Sequence, residues 1–382
     1  MLGAPGLADF DIAAGQLFGE EPVEPLPEPA GTPVEVLEAV LRRALERPPC
    51  VVEFSGGRDS STLLALAMRV ARREGLEPPI PMTLRFRGAP ESDEAAWQEA
   101  VVRTLAVDDW EVVEQGDRLD VVGEVAARAL TQHGSYYPPN AHLHLPYLDR
   151  VRGGTVVTGV DGDGVFGGWR AASLGAARAG RVPWTVRERA RALYASAPAP
   201  VRRAVQGRRD RGVDLPWLTP AARREVQRLR ARHLIVQPPR FDDYVQWLRS
   251  RRHFVAMQRT AEAFGAAAGA RIVHPLLDLG FLASYAALGG ADGFGNRTQT
   301  MRALFAGLLP DRLLERSTKA RFDGAYMASR SREVAAAWSG HGFDPEIVDA
   351  EALRTEWARP QPSFRSAMLL QAVWLRGNLN AQ

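Results

Sequence analysis

The run Ser55-Gly56-Gly57-Arg58-Asp59-Ser60-Ser61 stands between Cys50-Val51-Val52-Glu53-Phe54 and a stretch in which Leu63, Ala67, Val70 and Ala71 recur at helical spacing. The flanks predict a strand before the turn and a helix after it, closed by Gly75 and Pro78-Pro79. Between them the two glycines permit positive backbone torsions and close approach of an anion. The helix start adds unpaired amides and the positive end of its dipole. Such a turn cradles phosphate, with Ser55, Gly56, Gly57, Ser60 and Ser61 lining it. Asp59 repels phosphate unless a divalent cation bridges the two, which makes it a candidate Mg²⁺ ligand. The bland alternative is a glycine turn with a serine or aspartate helix cap. Five specified residues in this order arise by chance in on the order of one chain in a few thousand of this length, which favours the phosphate reading.

A Walker-type loop ends in Gly-Lys-Ser/Thr, and no lysine stands near this one. Working outward, residues 81–86 read as a second strand, 93–105 as a helix, 110–114 as a third strand, 119–131 as a helix and 155–158 as a fourth strand. The alternation predicts an α/β protein with a doubly wound parallel sheet. Upstream, Leu37, Val40, Leu41 and Ala44 predict a helix over 34–47, ended by Pro48-Pro49. Downstream comes the turn Gly159-Val160-Asp161-Gly162-Asp163-Gly164, and helices dominate from about residue 185. The chain therefore divides into an extended or mobile arm, 1–33, rich in proline and acid between Glu20 and Pro29, and one domain, 34–382.

With 382 residues, 46% of them hydrophobic, the chain can bury a large core. No apolar run approaches the roughly 18 residues that cross a bilayer, so no membrane partner is expected. Residues 1–30 lack the pattern of a signal peptide, so a cytoplasmic location is expected. Cys50 is the only cysteine, which excludes an internal disulfide, a cysteine metal cluster and a thiol pair for sulfur transfer. A net charge of +3 does not by itself imply nucleic acid. Of 48 basic residues only Lys319 is a lysine. In a chain that otherwise writes arginine, it marks a position that needs a compact ammonium on a flexible stem. The arginines crowded between 169 and 252 read as solvated helix faces, not as a nucleic-acid groove. His142 and His144, two residues apart, point to different sides of a helix and lack further zinc ligands, so they read as ordinary surface or core histidines. Tyr136-Tyr137-Pro138-Pro139 reads as a loop at the carboxyl end of the sheet, where open α/β folds bind ligands.

The loop resembles that of the pyrophosphate-loop synthetases, and three further segments narrow the resemblance. Residues 159–169, Gly-Val-Asp-Gly-Asp-Gly-Val-Phe-Gly-Gly-Trp, are similar to the GEGSDELFGGY turn of asparagine synthetases. His274-Pro275-Leu276-Leu277-Asp278 is similar to their PFLD segment, and Arg316-Ser317-Thr318-Lys319-Ala320-Arg321-Phe322 to their RxKxxF segment. The resemblance covers about residues 35–380 and extends to β-lactam synthetases and lasso peptide cyclases. It implies an AMP-forming carbon–nitrogen ligase that adenylates a carboxylate, releases pyrophosphate and passes the acyl group to an amine or ammonia, in natural-product or modified-peptide biosynthesis. It implies ATP and Mg²⁺ as cofactors, with Asp59 and Asp163 on the metal and the loop on the phosphates. Adenine would be held through the backbone at Glu53, Leu84, Thr158 and Gly159, although a glutamate is out of character in a central parallel strand. Lys319 would be the catalytic lysine, neutralising charge that develops on the phosphates and the acyl transition state.

Two departures shape the expectation. Full-length asparagine synthetases open with a glutaminase domain bearing an amino-terminal cysteine, whereas this chain begins Met1-Leu2. Glutamine hydrolysis is not expected of it alone, and nitrogen is expected from ammonia, a separate glutaminase or peptide-carrier partner, or the substrate's own amine. Val160 stands where asparagine synthetases place a glutamate base and β-lactam synthetases a tyrosine. Valine moves no proton, so plain asparagine synthesis is disfavoured and Asp161 becomes the nearest candidate base. Two alternatives stand beside the ligase. One is a tRNA-modifying pyrophosphate-loop enzyme, whose thiolating members need the absent cysteines. The other is an inactive, synthetase-derived binding protein, since Val160 and Gly164 replace acids of the family turn.

Overall fold

A computed structural model of the chain describes residues 7–86, 90–180, 186–210, 215–316, 320 and 322–379. Its strands are β1 (Cys50–Glu53), β2 (Ile80–Phe86), β3 (Glu111–Gln115), β4 (Thr155–Val157) and β5 (Arg271–Val273). All pair in parallel, in the order β3-β2-β1-β4-β5, so the α/β doubly wound expectation holds. The first four strands lie within two residues of their expected bounds. β5 carries no comparable signal, because Arg271-Ile272-Val273 is three residues at a sheet edge, one of them charged.

Seven helices frame the sheet: α1 (Asp9–Ala14), α2 (Pro33–Leu45), α3 (Arg58–Glu74), α4 (Ala95–Leu105), α5 (Glu124–His133), α6 (Leu145–Val151) and α7 (Gly162–Gly167). Thr32 and Glu35 close a capping box on α2, and Gly75, at φ 66°, ends α3. Strand alternation sends Val52, Phe54 and Val157 into a core shared with α2, α3 and the helix Leu279–Gly289. Val51, Met82 and Val156 enter a second core with α1, α5, α6 and the helix Ala367–Leu379. The winding therefore reverses between β1 and β4, and the crevice beyond their carboxyl ends is where such sheets bind ligands.

The structure corrects two expectations. Residues 1–33 were expected as an extended or mobile arm, but Ile12, Ala13, Ala14 and Phe18 are buried in the second core and Leu17 is buried beside them in sequence. Trp217 Nε1 donates to the Ala13 carbonyl at 2.8 Å, and Arg252 pairs with Asp11 at 2.8 Å. A six-residue helix is too short to show a period, so only the proline-rich stretch was legible. That stretch is extended yet docked, with Glu21 on Arg259 and Leu26 N on Gln246. The helix expected over 119–131 begins only at Glu124. Asp120 holds the residues before it in a turn by accepting from Val122 N (3.0 Å) and from Ala328 N and Ser331 N on a distant segment (2.8 and 2.9 Å). Among the described residues no helix is long and apolar enough to cross a membrane.

Candidate active site

Phe54 N makes the last ladder bond of β1, to Met82 O at 2.9 Å, and the chain then turns. Gly56 takes φ 79°, and a Cβ there would lie 2.8 Å from Gln98 Cγ, so the position accepts only glycine. Ser55 and Ser60 brace the turn through hydroxyls 3.1 Å apart, and Gly57 N donates to Ser55 Oγ at 3.3 Å. The first amides of α3, which starts directly after this turn, have no helical partner of their own. Ser61 Oγ and Asp59 Oδ1 are buried without a hydrogen-bond partner.

From the far side of the switch point the turn after β4 interlocks with this loop. Gly159 lies against the start of α3, where a Cβ would sit 3.1 Å from Ser60 N. A Cβ on Gly162 would collide with the Asp59 carboxylate. Arg297, in the first turn of the helix Arg297–Phe305, then bridges the two segments. Its guanidinium donates to Asp59 Oδ2 at 2.6 Å and to Asp163 Oδ1. Burial pushes the Asp59 carboxyl up against the opposing pull of Arg297. Arg297 carried no signal of its own among so many arginines.

The segment after residue 315 is tied to the same loop. Arg316, buried, pairs with buried Glu94 (2.6 Å to Oε2), donates to the Gly56 carbonyl at 3.0 Å and lies 4.7 Å over the Trp97 ring. Ala320 N donates to Glu94 Oε1 at 3.0 Å. Lys319 lies outside the described residues, but both anchors that flank it are fixed beside the phosphate loop.

The sequence profile described as asparagine synthase matches residues 35–379, nearly the whole of this architecture. The chain belongs to the asparagine synthase family. That family comprises ATP-dependent amide ligases. No curated protein matches the chain.

A feature of this synthase-family chain that the sequence did not explain is Glu53. Val52 is level with Val157, and Val157 with Val273, so Glu53, Thr158 and His274 stand one rung further along three adjacent strands, on one face. His144 Nδ1 meets Glu53 Oε1 at 2.6 Å. Burial lowers the His144 pKa, and the Glu53 carboxylate more than offsets it, so the net shift is upward. Thr158 Oγ1 accepts from Val160 N (3.3 Å) and shares a hydrogen bond with His274 Nδ1 (2.6 Å). Burial, with His144 nearby, pushes His274 down to about 3, leaving it neutral. Leu84, the remaining candidate, borders this row through Tyr147, which hydrogen-bonds to its backbone. His142 is a core histidine, held by Tyr136 Oη at 3.2 Å and the Leu119 carbonyl at 2.9 Å.

The donors suit Mg²⁺ that arrives with phosphate. Asp59 keeps an unpartnered buried oxygen. Among the described residues no group of three histidines, cysteines or acids could hold a metal unaided. Mg²⁺ characteristically takes one or two carboxylates and completes its shell with phosphate and water. A cavity of about 680 Å³ is lined by Gly15, Gln16, Tyr137, Pro138, His253 and Arg365. Burial first, and the Asp161 charge second, push the Tyr137 hydroxyl up to about 12.

Proposed function

We propose that the chain uses ATP to join a carboxylate to an amine in two steps. The carboxylate oxygen attacks the α-phosphorus, the bond from that phosphorus to the bridging oxygen breaks, and pyrophosphate leaves. The amine nitrogen then attacks the acyl carbon of the mixed anhydride, AMP leaves, and the nitrogen loses a proton. The observation that carries this reading is the meeting of Asp59 and Asp163, from opposite sides of the switch point, at the amino end of α3.

The roles follow from position. The α3 amides and the Ser61 hydroxyl would receive phosphate oxygens, and Ser55, Gly56, Gly57 and Ser60 shape the cradle. Leu84, Thr158 and Gly159 would border the nucleoside. Asp59 and Asp163 would hold Mg²⁺, which supplies charge neutralisation on the phosphates. Lys319 would stabilise charge at the acyl centre, and Asp161 stands nearest to take the amine proton that Val160 cannot. The cavity at Tyr137 is of a size that encloses a drug-sized ligand, larger than aspartate and ammonia need, and supports a peptide or natural-product acid or amine as substrate. Nitrogen would come from that substrate, from ammonia or from a partner protein. The test is pyrophosphate release from ATP with a panel of amino acids, peptides and other carboxylic acids. Acid-dependent release supports the ligase; ATP binding with no release from any acid counts for the inactive binding protein.

A further inference from the structure

The bridge between Asp59 and Asp163 does more than tie two segments together. Its cation is an arginine, and that arginine occupies the space between the two carboxylates assigned above to Mg²⁺. Both carboxylates meet one guanidinium, at 2.6 Å for Asp59 Oδ2 and in direct contact for Asp163 Oδ1. The bridge does not saturate its own atoms, because Arg297 Nε and Asp59 Oδ1 are both buried without partners. An arrangement selected for stability alone satisfies such atoms; one that must re-pair when a ligand arrives leaves them over. Arg297 also lines a cavity of about 590 Å³ with Gly167, Trp169, Arg170, Arg191 and Asn296, so its side chain has room beside the site. Its backbone is fixed by the Asn296–Gln299 capping box (3.1 and 2.8 Å), so movement is confined to the side chain. The second arginine of the loop does not share this task, since Arg58 Nη1 is turned to Thr298 Oγ1 (3.0 Å) and the Leu314 carbonyl (3.3 Å).

We propose that Arg297 is a cation placeholder: it holds Asp59 and Asp163 together in the free protein, excludes a free divalent ion, and yields to one only when a nucleotide triphosphate supplies oxygens that take the guanidinium in exchange. Without a cation, two carboxylates repel an incoming polyphosphate; Arg297 between them offsets one of the two charges and reduces that repulsion, and a guanidinium displaced by a metal would be suited to phosphate by its planar fork. Metal and nucleotide binding are thereby coupled, and each must tighten the other by one and the same factor. This rests on the nucleotide reading of the loop.

The probes are Mn²⁺ followed by electron paramagnetic resonance and α,β-methylene-ATP followed by calorimetry, each alone and together, on wild type, Arg297→Gln and Arg297→Lys. Circular dichroism and melting temperature are read for every variant. The expected result is that wild type takes Mn²⁺ weakly alone and about tenfold or more tightly with the analogue. Arg297→Gln takes Mn²⁺ alone about tenfold more tightly than wild type, is raised in melting temperature by it, and loses most of the coupling. Arg297→Lys, which keeps a cation but not the fork, retains the exclusion of free Mn²⁺. Equal Mn²⁺ affinity in wild type and Arg297→Gln overturns the placeholder. If the Gln variant does not fold, tight binding of Mn²⁺ alone by wild type overturns it equally. Failure of wild type to bind the analogue under any condition sinks instead the nucleotide reading on which the inference stands.

Discussion

Replacing Arg316 by methionine removes one partner of an ion pair whose other member, Glu94, is equally buried. The guanidinium makes a two-pronged contact with Glu94, donates to the Gly56 carbonyl at 3.0 Å and covers Trp97. Loss of one member strands a carboxylate away from water, and such truncations cost about 3–5 kcal/mol. Trp97 adds roughly 1 kcal/mol if the cation–π contact is counted at partly desolvated strength. Removing both charges, as Arg316→Met with Glu94→Leu, is expected to return the protein to within about 2 kcal/mol of wild type, because apolar groups of similar volume replace a pair whose desolvation nearly cancelled its attraction. Function is not expected to return with stability. The Gly56 carbonyl loses its donor, and Arg316 and Ala320 lose their tether to Glu94, so the double variant should fold yet bind Mg·ATP poorly. Urea unfolding followed by tryptophan fluorescence gives the first quantity and calorimetry the second. A cost below about 1 kcal/mol for Arg316→Met, the range of exposed pairs, refutes the burial argument. Unchanged ATP affinity in the double variant refutes the tether.

Asp59→Ala is expected to fold and to lose most of the Mg²⁺-dependent part of its ATP affinity in calorimetry; equal affinity in variant and wild type removes the loop from the nucleotide site. His142 and His274 are held neutral, pushed by burial from 6.5 to about 4 and about 3. The unfolded chain takes up their protons near pH 6.5 and the folded chain does not, so stability present above pH 6.5 is lost as the pH falls toward 4, by about 2 kcal/mol each at pH 5. His144, shifted upward, has the opposite sign, and its ion pair weakens as the pH rises above 6.5. His142→Gln should flatten the acid limb of a melting-temperature profile, and an unaltered limb contradicts the assignment. Lys319→Arg should fold and bind ATP yet lose about a hundredfold to a thousandfold in acyl transfer, because a guanidinium spreads its charge; unchanged turnover places the lysine outside the active site.

The sheet and its phosphate turn were legible because their signals are local. β1 and β2 are short apolar runs bounded by glycine or proline, and the paired glycines of the turn at 55–57 stand directly between strand and helix. What was illegible is contact between distant segments. Arg297 reaches Asp59 across 238 positions and nothing near it sets it apart from its neighbours; Arg316 stands in a segment the sequence did single out, but its partner Glu94, 222 positions away, was not visible there. Glu53 looked misplaced for the same reason: its partner, His144, stands 91 residues away and arrives only when α6 packs against the sheet. The turn at residues 159–164 shows both sides of this. Its glycines announce a turn, but that Gly162 exists to make room for the Asp59 carboxylate appears only in the folded chain.

In the proposed reaction a carboxylate oxygen attacks the α-phosphorus of ATP at the crevice between β1 and β4. This attack is tested most directly by supplying an active acid from the pyrophosphate-release panel with both carboxylate oxygens as ¹⁸O, and weighing the AMP formed. One labelled oxygen in each AMP, with pyrophosphate in equal amount and both products abolished by Asp59→Ala, is the result predicted. ADP and inorganic phosphate as products, or AMP that carries no label, contradicts the mechanism.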